Sequence, residues 1–223
     1  MVINTTHKFI FVHIPKTAGR SITKSLLSLR GNRSRWLANT KHETIAELRA
    51  NIGFRLSWKD RVLGRNPNRF LSFGFVRNPW DRIASCYRFL VERRPRPEID
   101  TVACFKDFLV QAQNGVTWIQ DLKSMRSQLD YFTMPDGRMS IDVLGHFEFL
   151  AEDTALIARR IKCPISLVHK NRSSNSGIDY RMSYDDEMIE IVATKFAEEI
   201  ELFGYTFETK WPSQRRSGRL NCD

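Results

Sequence analysis

Apolar residues in this chain come in short runs, and the spacing within the runs alternates between strand-like and helix-like. Phe9-Ile10-Phe11-Val12 is continuous, is cut off by Pro15, and predicts a strand over 8–13. Ile22, Leu26 and Leu27 then recur at helical spacing and predict a helix over 20–30. The polar, basic stretch 31–41 reads as a loop. Residues 42–50 are rich in helix formers, with Thr40 as a possible cap. Phe70-Leu71-Ser72-Phe73-Gly74-Phe75-Val76 predicts a buried strand. Pro79, a residue suited to a helix start, opens a helix carrying Ile83, Tyr87 and Leu90 on one face. Arg93-Arg94-Pro95-Arg96-Pro97 is a break. A short helix is expected over 105–111, loop over 112–140, a strand over 142–147 and a helix over 153–162. One long helix is expected over 184–203, ended by Gly204. Strands alternating with helices predict an α/β fold, with a mainly parallel sheet covered by helices on both faces. There is no internal repeat.

Two segments repeat one design. In the first, a strand runs through the tight basic turn Pro15-Lys16-Thr17-Ala18-Gly19-Arg20 into a helix. Backbone N–H groups, a helix N-terminus and a Lys then converge where an anion such as phosphate or sulfate would sit. In the second, Phe75-Val76 leads through Arg77-Asn78-Pro79 into a helix carrying Ser85. Arg77 stands at the strand's carboxyl end, where open α/β sheets bind ligands. Its guanidinium fork and the Ser85 hydroxyl suit a phosphate. The alternative is a local Arg77–Asp81 ion pair with Ser85 facing solvent. The first turn is not GxxxxGK[ST], because Lys16 precedes Gly19 and Arg20 follows it. No Asp-rich magnesium site accompanies it. The anion should therefore need less neutralisation than a triphosphate.

Composition narrows the class. A chain of 223 residues, 42% hydrophobic, can bury a core as one mixed α/β domain. We expect that domain over 1–210, with 211–223 a basic, mobile tail. No apolar run nears the roughly 20 residues that span a bilayer. The N-terminus has no signal-peptide pattern, so a cytoplasmic protein, or a fragment lacking its anchor, is expected. Cys86, Cys104, Cys163 and Cys222 are scattered, which predicts neither a disulfide framework nor a metal site. The net charge of +10 and pI near 9.7 call for an anionic partner. The charge gathers at Arg30, Arg33 and Arg35; at Arg55, Lys59, Arg61, Arg65 and Arg69; at Arg88, Arg93, Arg94 and Arg96; and at Arg215, Arg216 and Arg219. Each cluster can also be read as a solvated face.

Pro15-Lys16-Thr17-Ala18-Gly19-Arg20-Ser21-Ile22 resembles the 5′-phosphosulfate-binding loop of sulfotransferases. Residues 75–87, Phe-Val-Arg-Asn-Pro-Trp-Asp-Arg-Ile-Ala-Ser-Cys-Tyr, resemble their 3′-phosphate-binding segment. Residues 145–150, 169–173 and 200–207 are similar to the carbohydrate sulfotransferase branch found in bacteria and, membrane-anchored, in the Golgi. The resemblance covers about 8–207 and implies a P-loop-like three-layer α/β/α fold. It implies 3′-phosphoadenosine-5′-phosphosulfate as donor, adenosine 3′,5′-bisphosphate as product, and no metal. Lys16 and the backbone of Thr17, Ala18, Gly19, Arg20, Ser21 and Ile22, entered through Pro15, would hold the 5′-phosphosulfate. Arg77 and Ser85 would hold the 3′-phosphate, and Arg172 and Ser173 would lie in a loop closing over the nucleotide. Arg20 departs from the pattern, which usually has Thr or a small residue there.

Sulfuryl transfer is an in-line displacement served by positioning and charge. The acceptor hydroxyl still needs a base. His42 is the first candidate, since the resembled branch carries a pair like Lys41-His42 in this region and His suits proton transfer near neutrality. A helix-cap His is the structural alternative. His13 and Glu43 follow as candidate bases; His146 and His169 read as structural or nucleotide-proximal. Arg30, Arg33, Arg35, Arg55 and Lys59 lie between the donor segments, where they could steer an acidic glycan. The sequence does not give the oligomeric state, and no nucleic-acid partner is expected. Two other readings remain: a P-loop-like nucleotide kinase needing magnesium and ATP, and a non-catalytic module that binds polyanions.

Overall fold

Every position of the Phe9–Val12 run is buried, as a strand covered on both faces requires. The computed structural model describes residues 1–32, 42–55, 58–93, 96–165 and 179–208. Its helices, in chain order, are α1 (Gly19–Leu27), α2 (Ile45–Arg55), α3 (Trp58–Val62), α4 (Pro79–Arg93), α5 (Phe105–Gln113), α6 (Thr117–Gln120), α7 (Leu150–Arg160), α8 (Asp186–Lys195) and α9 (Ala197–Phe203). The chain divides into two compact units. Described residues within 1–76 and 128–165 make up the first, and those within 77–127 and 179–208 the second.

The first unit holds a four-stranded sheet in the order β1 (Val2–Asn4), β2 (Phe9–Val12), β3 (Leu71–Val76), β4 (Val143–His146). β2, β3 and β4 run parallel, and β1 is an antiparallel edge. The register pairs Phe11 with Phe73 and Phe73 with Val143. Strand alternation therefore puts Phe9, Phe11, Phe73, Phe75 and Val143 on one face. They pack with Ile22 and Leu26 of α1, Ile157 of α7 and Ile161. On the other face the Phe132 ring fills the space over Gly74, where a Cβ would lie 2.6 Å from it. Asp142 Oδ2 accepts from the Ser72 N–H and hydroxyl, both at 2.7 Å, and fixes the start of β4 beside β3. The parallel strands thus end together at Val12, Val76 and His146.

The strands expected from the runs at 9–12, 71–76 and 143–146 are present. β1 is additional; its three residues show no pattern of their own until they pair with β2. The helix expected over 42–50 starts later, at Ile45, and runs on to Arg55. Thr44 caps it: its Oγ1 accepts from Glu47 N–H at 3.1 Å, while Glu47 Oε2 accepts from Thr44 N–H at 2.8 Å. Thr40, the expected cap, lies outside the described residues. The loop expected over 112–140 contains α6 and a 3-10 turn at Leu129–Tyr131.

In the second unit the helix expected over 184–203 is two helices. Phe196, at φ −118° and ψ 26°, separates α8 from α9, and Gly204 ends α9 in the left-handed conformation. The break lies beside a buried ion pair. Arg82 and Glu199 side chains have no solvent exposure and meet at 3.1 Å, and the Arg82 guanidinium lies 4.9 Å from the Phe196 ring centre. Arg82 Nη1 donates to the carbonyls of Ser124 at 2.7 Å and Arg126 at 3.2 Å, and Glu199 Oε2 accepts from Ser127 Oγ at 2.9 Å. Burial and the neighbouring Arg82 charge lower the pKa of Lys195. Removing one charge from such a pair leaves the other uncompensated. Glu199→Gln should therefore destabilise the protein by about 3 kcal/mol in urea unfolding, and the double variant Arg82→Met/Glu199→Leu should recover much of that loss. A cost below about 1 kcal/mol for Glu199→Gln would show that the pair does not hold this unit together.

Candidate active site

The loop between β2 and α1 has an alternating backbone. Lys16 at φ 70° and Ala18 at φ 59° are left-handed, and Thr17 between them is not. Each such residue costs about 1 kcal/mol, and strain of this kind gathers at functional sites. Left-handed residues of this kind are a component of anion-binding nests, in which successive N–H groups point to one side. Ala18 stands at the N-cap of α1, where its methyl group cannot satisfy the first-turn donors that a Ser or Asp would. Ser21 and Ile22 N–H reach the Ala18 carbonyl at 2.9 and 3.3 Å. Among the described residues no acceptor takes the Gly19 and Arg20 N–H groups. Buried Thr17 is tied down through its hydroxyl, which donates to the Ile14 carbonyl at 3.1 Å. Lys16 is half-buried and Arg20 exposed.

His13, at the end of β2, organises three elements. Its ring lies against Gly19, where a Cβ would come within 1.9 Å of it, so only glycine lets α1 start here. It stacks on Phe11, and its ring centre is 4.5 Å from that of His42. His42 Nδ1 lies 3.0 Å from the His13 carbonyl oxygen. A carbonyl can only accept, so Nδ1 carries the hydrogen and the lone pair of the neutral ring is on Nε2. His42 is half-buried and left-handed at φ 55°. Glu43 is 2% exposed, and its Oε1 accepts from Asn51 Nδ2 at 2.8 Å. The first loop, His13, His42 and Glu43 are thus gathered in the first unit at the carboxyl end of β2. His146 is buried at the end of β4, where its N–H donates to Asp153 at 2.8 Å and its Nδ1 lies 3.6 Å from the same oxygen.

In the second unit Asn78 caps α4. Its Oδ1 accepts from Trp80 N–H at 3.1 Å, and its carbonyl takes the first helical bond, from Arg82 N–H, at 2.8 Å. Its Nδ2 donates to the Thr206 carbonyl at 3.0 Å, which joins the 200–207 segment to the start of α4. Tyr184 donates to the Trp80 carbonyl at 2.7 Å, and burial pushes its pKa well up, so the hydroxyl stays a donor. Arg77 reaches Asp81 Oδ2 with Nε at 2.9 Å and Nη2 at 2.8 Å. This is the local ion pair weighed above as the alternative. It leaves the Arg77 side chain 12% exposed. Ser85, one helical turn beyond Asp81, is half-buried.

Arg172 and Ser173 lie outside the described residues, as do Arg33, Arg35, Lys41, Arg94, His169, Cys222 and the tail from 211. So does the side chain of Arg55. Arg30 and Lys59 are exposed. Cys86, Cys104 and Cys163 are free thiols. Among the described residues no helix is long and apolar enough to cross a membrane, and no group of three His, Cys, Asp or Glu side chains could hold a metal ion.

In the first unit, the turn after β2 carries N–H donors and a Lys, which suits an anion without naming it. A family model described as the sulfotransferase family matches residues 1–206. The chain belongs to the sulfotransferase family. The sheet with three parallel strands, flanked by helices, is the α/β arrangement expected from the resemblance. Membership makes the protein a transferase of sulfuryl groups and implies a hydroxyl-bearing acceptor. No curated protein and no solved structure matches this sulfotransferase. Sequence reasoning missed two features of its candidate site. One is the dependence of the loop on Gly19 beneath the His13 ring. The other is the His13 carbonyl that orients His42. Neither leaves a local signal in the sequence.

Proposed function

We propose that this sulfotransferase moves a sulfuryl group from 3′-phosphoadenosine-5′-phosphosulfate to a hydroxyl of a carbohydrate, and that residues 1–210 act as one domain. The single observation that carries the reading is the β2–α1 loop. It combines left-handed Lys16 and Ala18, a helix start without a side-chain cap, and Gly19 and Arg20 N–H groups that no acceptor takes among the described residues. Such a set suits an anion of modest charge. Supporting the single domain, the family match runs unbroken over 1–206 and each unit draws on separate stretches of the chain.

In this reading Lys16 and the backbone of 17–22 hold the 5′-phosphosulfate, and Arg77 and Ser85 the 3′-phosphate. Arg172 and Ser173 belong to the closing loop. The acceptor oxygen forms its bond to sulfur as the bond from sulfur to the bridging phosphate oxygen breaks. The hydroxyl proton passes to His42 Nε2, and the charge left on the phosphate is met by Lys16 and the loop amides. The exposed cations Arg30 and Lys59 favour an acidic glycan. The free thiols accord with a reducing, cytoplasmic setting.

The test is transfer of labelled sulfate from this donor to a panel of neutral, acidic and desulfated glycans. We expect label in glycan, strongest in acidic members, and adenosine 3′,5′-bisphosphate released in equal amount. Label only in non-carbohydrate hydroxyls would replace the acceptor class, and no transfer from this donor would remove the reading.

A further inference from the structure

Resting on that reading of Arg77 and Ser85, we infer that Arg88 is a further donor-binding residue and sets the preference for a 3′-phosphorylated nucleotide. Asp81, Ser85 and Arg88 follow one another at four- and three-residue intervals, which places them along one face of α4, and Arg77, just before the helix, joins that face through its pair with Asp81. Asp81 takes both Nε and Nη2 of Arg77, at 2.9 and 2.8 Å. Its other oxygen, Oδ1, is 4.0 Å from Arg88 Nη2, at the outer limit of an ion pair.

The consequence is a matter of charge. A phosphate monoester carries about −1.5 to −2 at pH 7. Arg77 and Asp81 together sum to zero, so with the neutral Ser85 they orient a phosphate without neutralising it. Arg88 supplies the net positive charge on this face. It is only loosely engaged by Asp81, and its side chain is 26% exposed, so a phosphate can draw it over Ser85. Asp81 then serves as a positioning residue that fixes the Arg77 fork. A guanidinium one turn further along α4 adds a second charge-assisted contact to the same group.

The experiment measures equilibrium binding of two probes, adenosine 3′,5′-bisphosphate and adenosine 5′-monophosphate, to the full chain by calorimetry. Wild type should prefer the bisphosphate by about 30-fold or more. Arg88→Ala should cut that preference by about tenfold while holding monophosphate affinity within twofold, and Arg88→Lys should restore most of it. Arg77→Ala should abolish the preference. If wild type shows no preference, the reading of this face as a 3′-phosphate site fails, and the inference with it. If Arg77→Ala loses the preference and Arg88→Ala keeps it within threefold, the site stands and Arg88 has no part in it. Equal loss of both nucleotides in Arg88→Ala, unrelieved by Arg88→Lys, would make Arg88 structural and overturn the inference.

Discussion

Lys16→Ala should reduce kcat for sulfuryl transfer by about 10³-fold, equivalent to roughly 4 kcal/mol of transition-state stabilisation. The argument starts from where the residue stands. β2 is buried and fixed by pairing on both sides, so its end at Val12 is a rigid mount. Lys16 follows four residues later in a left-handed conformation, on the turn whose N–H groups feed into α1. On the proposed reading, a cation there would face the charge that builds on the leaving phosphate as the sulfuryl group departs. That charge is larger in the transition state than in the bound donor, so the loss falls on kcat more than on donor affinity. Ala pays a left-handed penalty like that of Lys, and the side chain is half-buried, so the fold should persist. Equal melting temperatures would confirm this. Initial rates with labelled donor, beside bisphosphate affinity, separate the two effects. A kcat within tenfold of wild type would take Lys16 away from the transferred group.

The β2 and β3 runs were legible because a strand buried on both faces has to be apolar throughout, and Pro15 and Pro79 mark where each run gives way. The two strand–turn–helix units, and with them the candidate donor residues, followed from that local punctuation. Other features depend on partners far away in sequence. β1 is three residues long and becomes a strand only by pairing with β2. Phe196 sits inside a stretch of good helical spacing, yet the helix breaks there beside the buried guanidinium of Arg82, more than a hundred residues earlier. Arg82 itself was one basic residue among many, and Glu199 one acid on a helix face. Only the fold takes both out of water together. The α2 cap is a different case. Thr44-Ile45-Ala46-Glu47 is a capping-box pattern that local reading could have preferred to Thr40. The role of Gly19 rests on the His13 ring six residues back, a contact that periodicity does not register.

The proposed base gives the second large effect: His42→Ala should lower kcat by about 10²- to 10⁴-fold with bisphosphate affinity unchanged. A general base has to be reachable, correctly protonated and held in place. His13 is 8% exposed, with its ring lodged between Phe11 and Gly19. Glu43 is 2% exposed and engaged by Asn51. His42 is half-buried, and the His13 carbonyl at 3.0 Å holds its hydrogen on Nδ1, which leaves Nε2 to take a proton. This is the arrangement by which a carboxylate orients the histidine of a hydrolase triad, here with a backbone carbonyl in its place. The sign of the pH dependence follows. Protonation of Nε2 removes the base, so wild-type kcat should fall towards acid pH. His42→Ala should lose that acidic limb and keep a low, flat rate. His42→Gln, which retains polarity but cannot take a proton, should behave like Ala. A near wild-type kcat in both variants, with the acidic limb intact, would transfer the role to His13 or Glu43. His13→Ala and Glu43→Gln profiles would then decide between them.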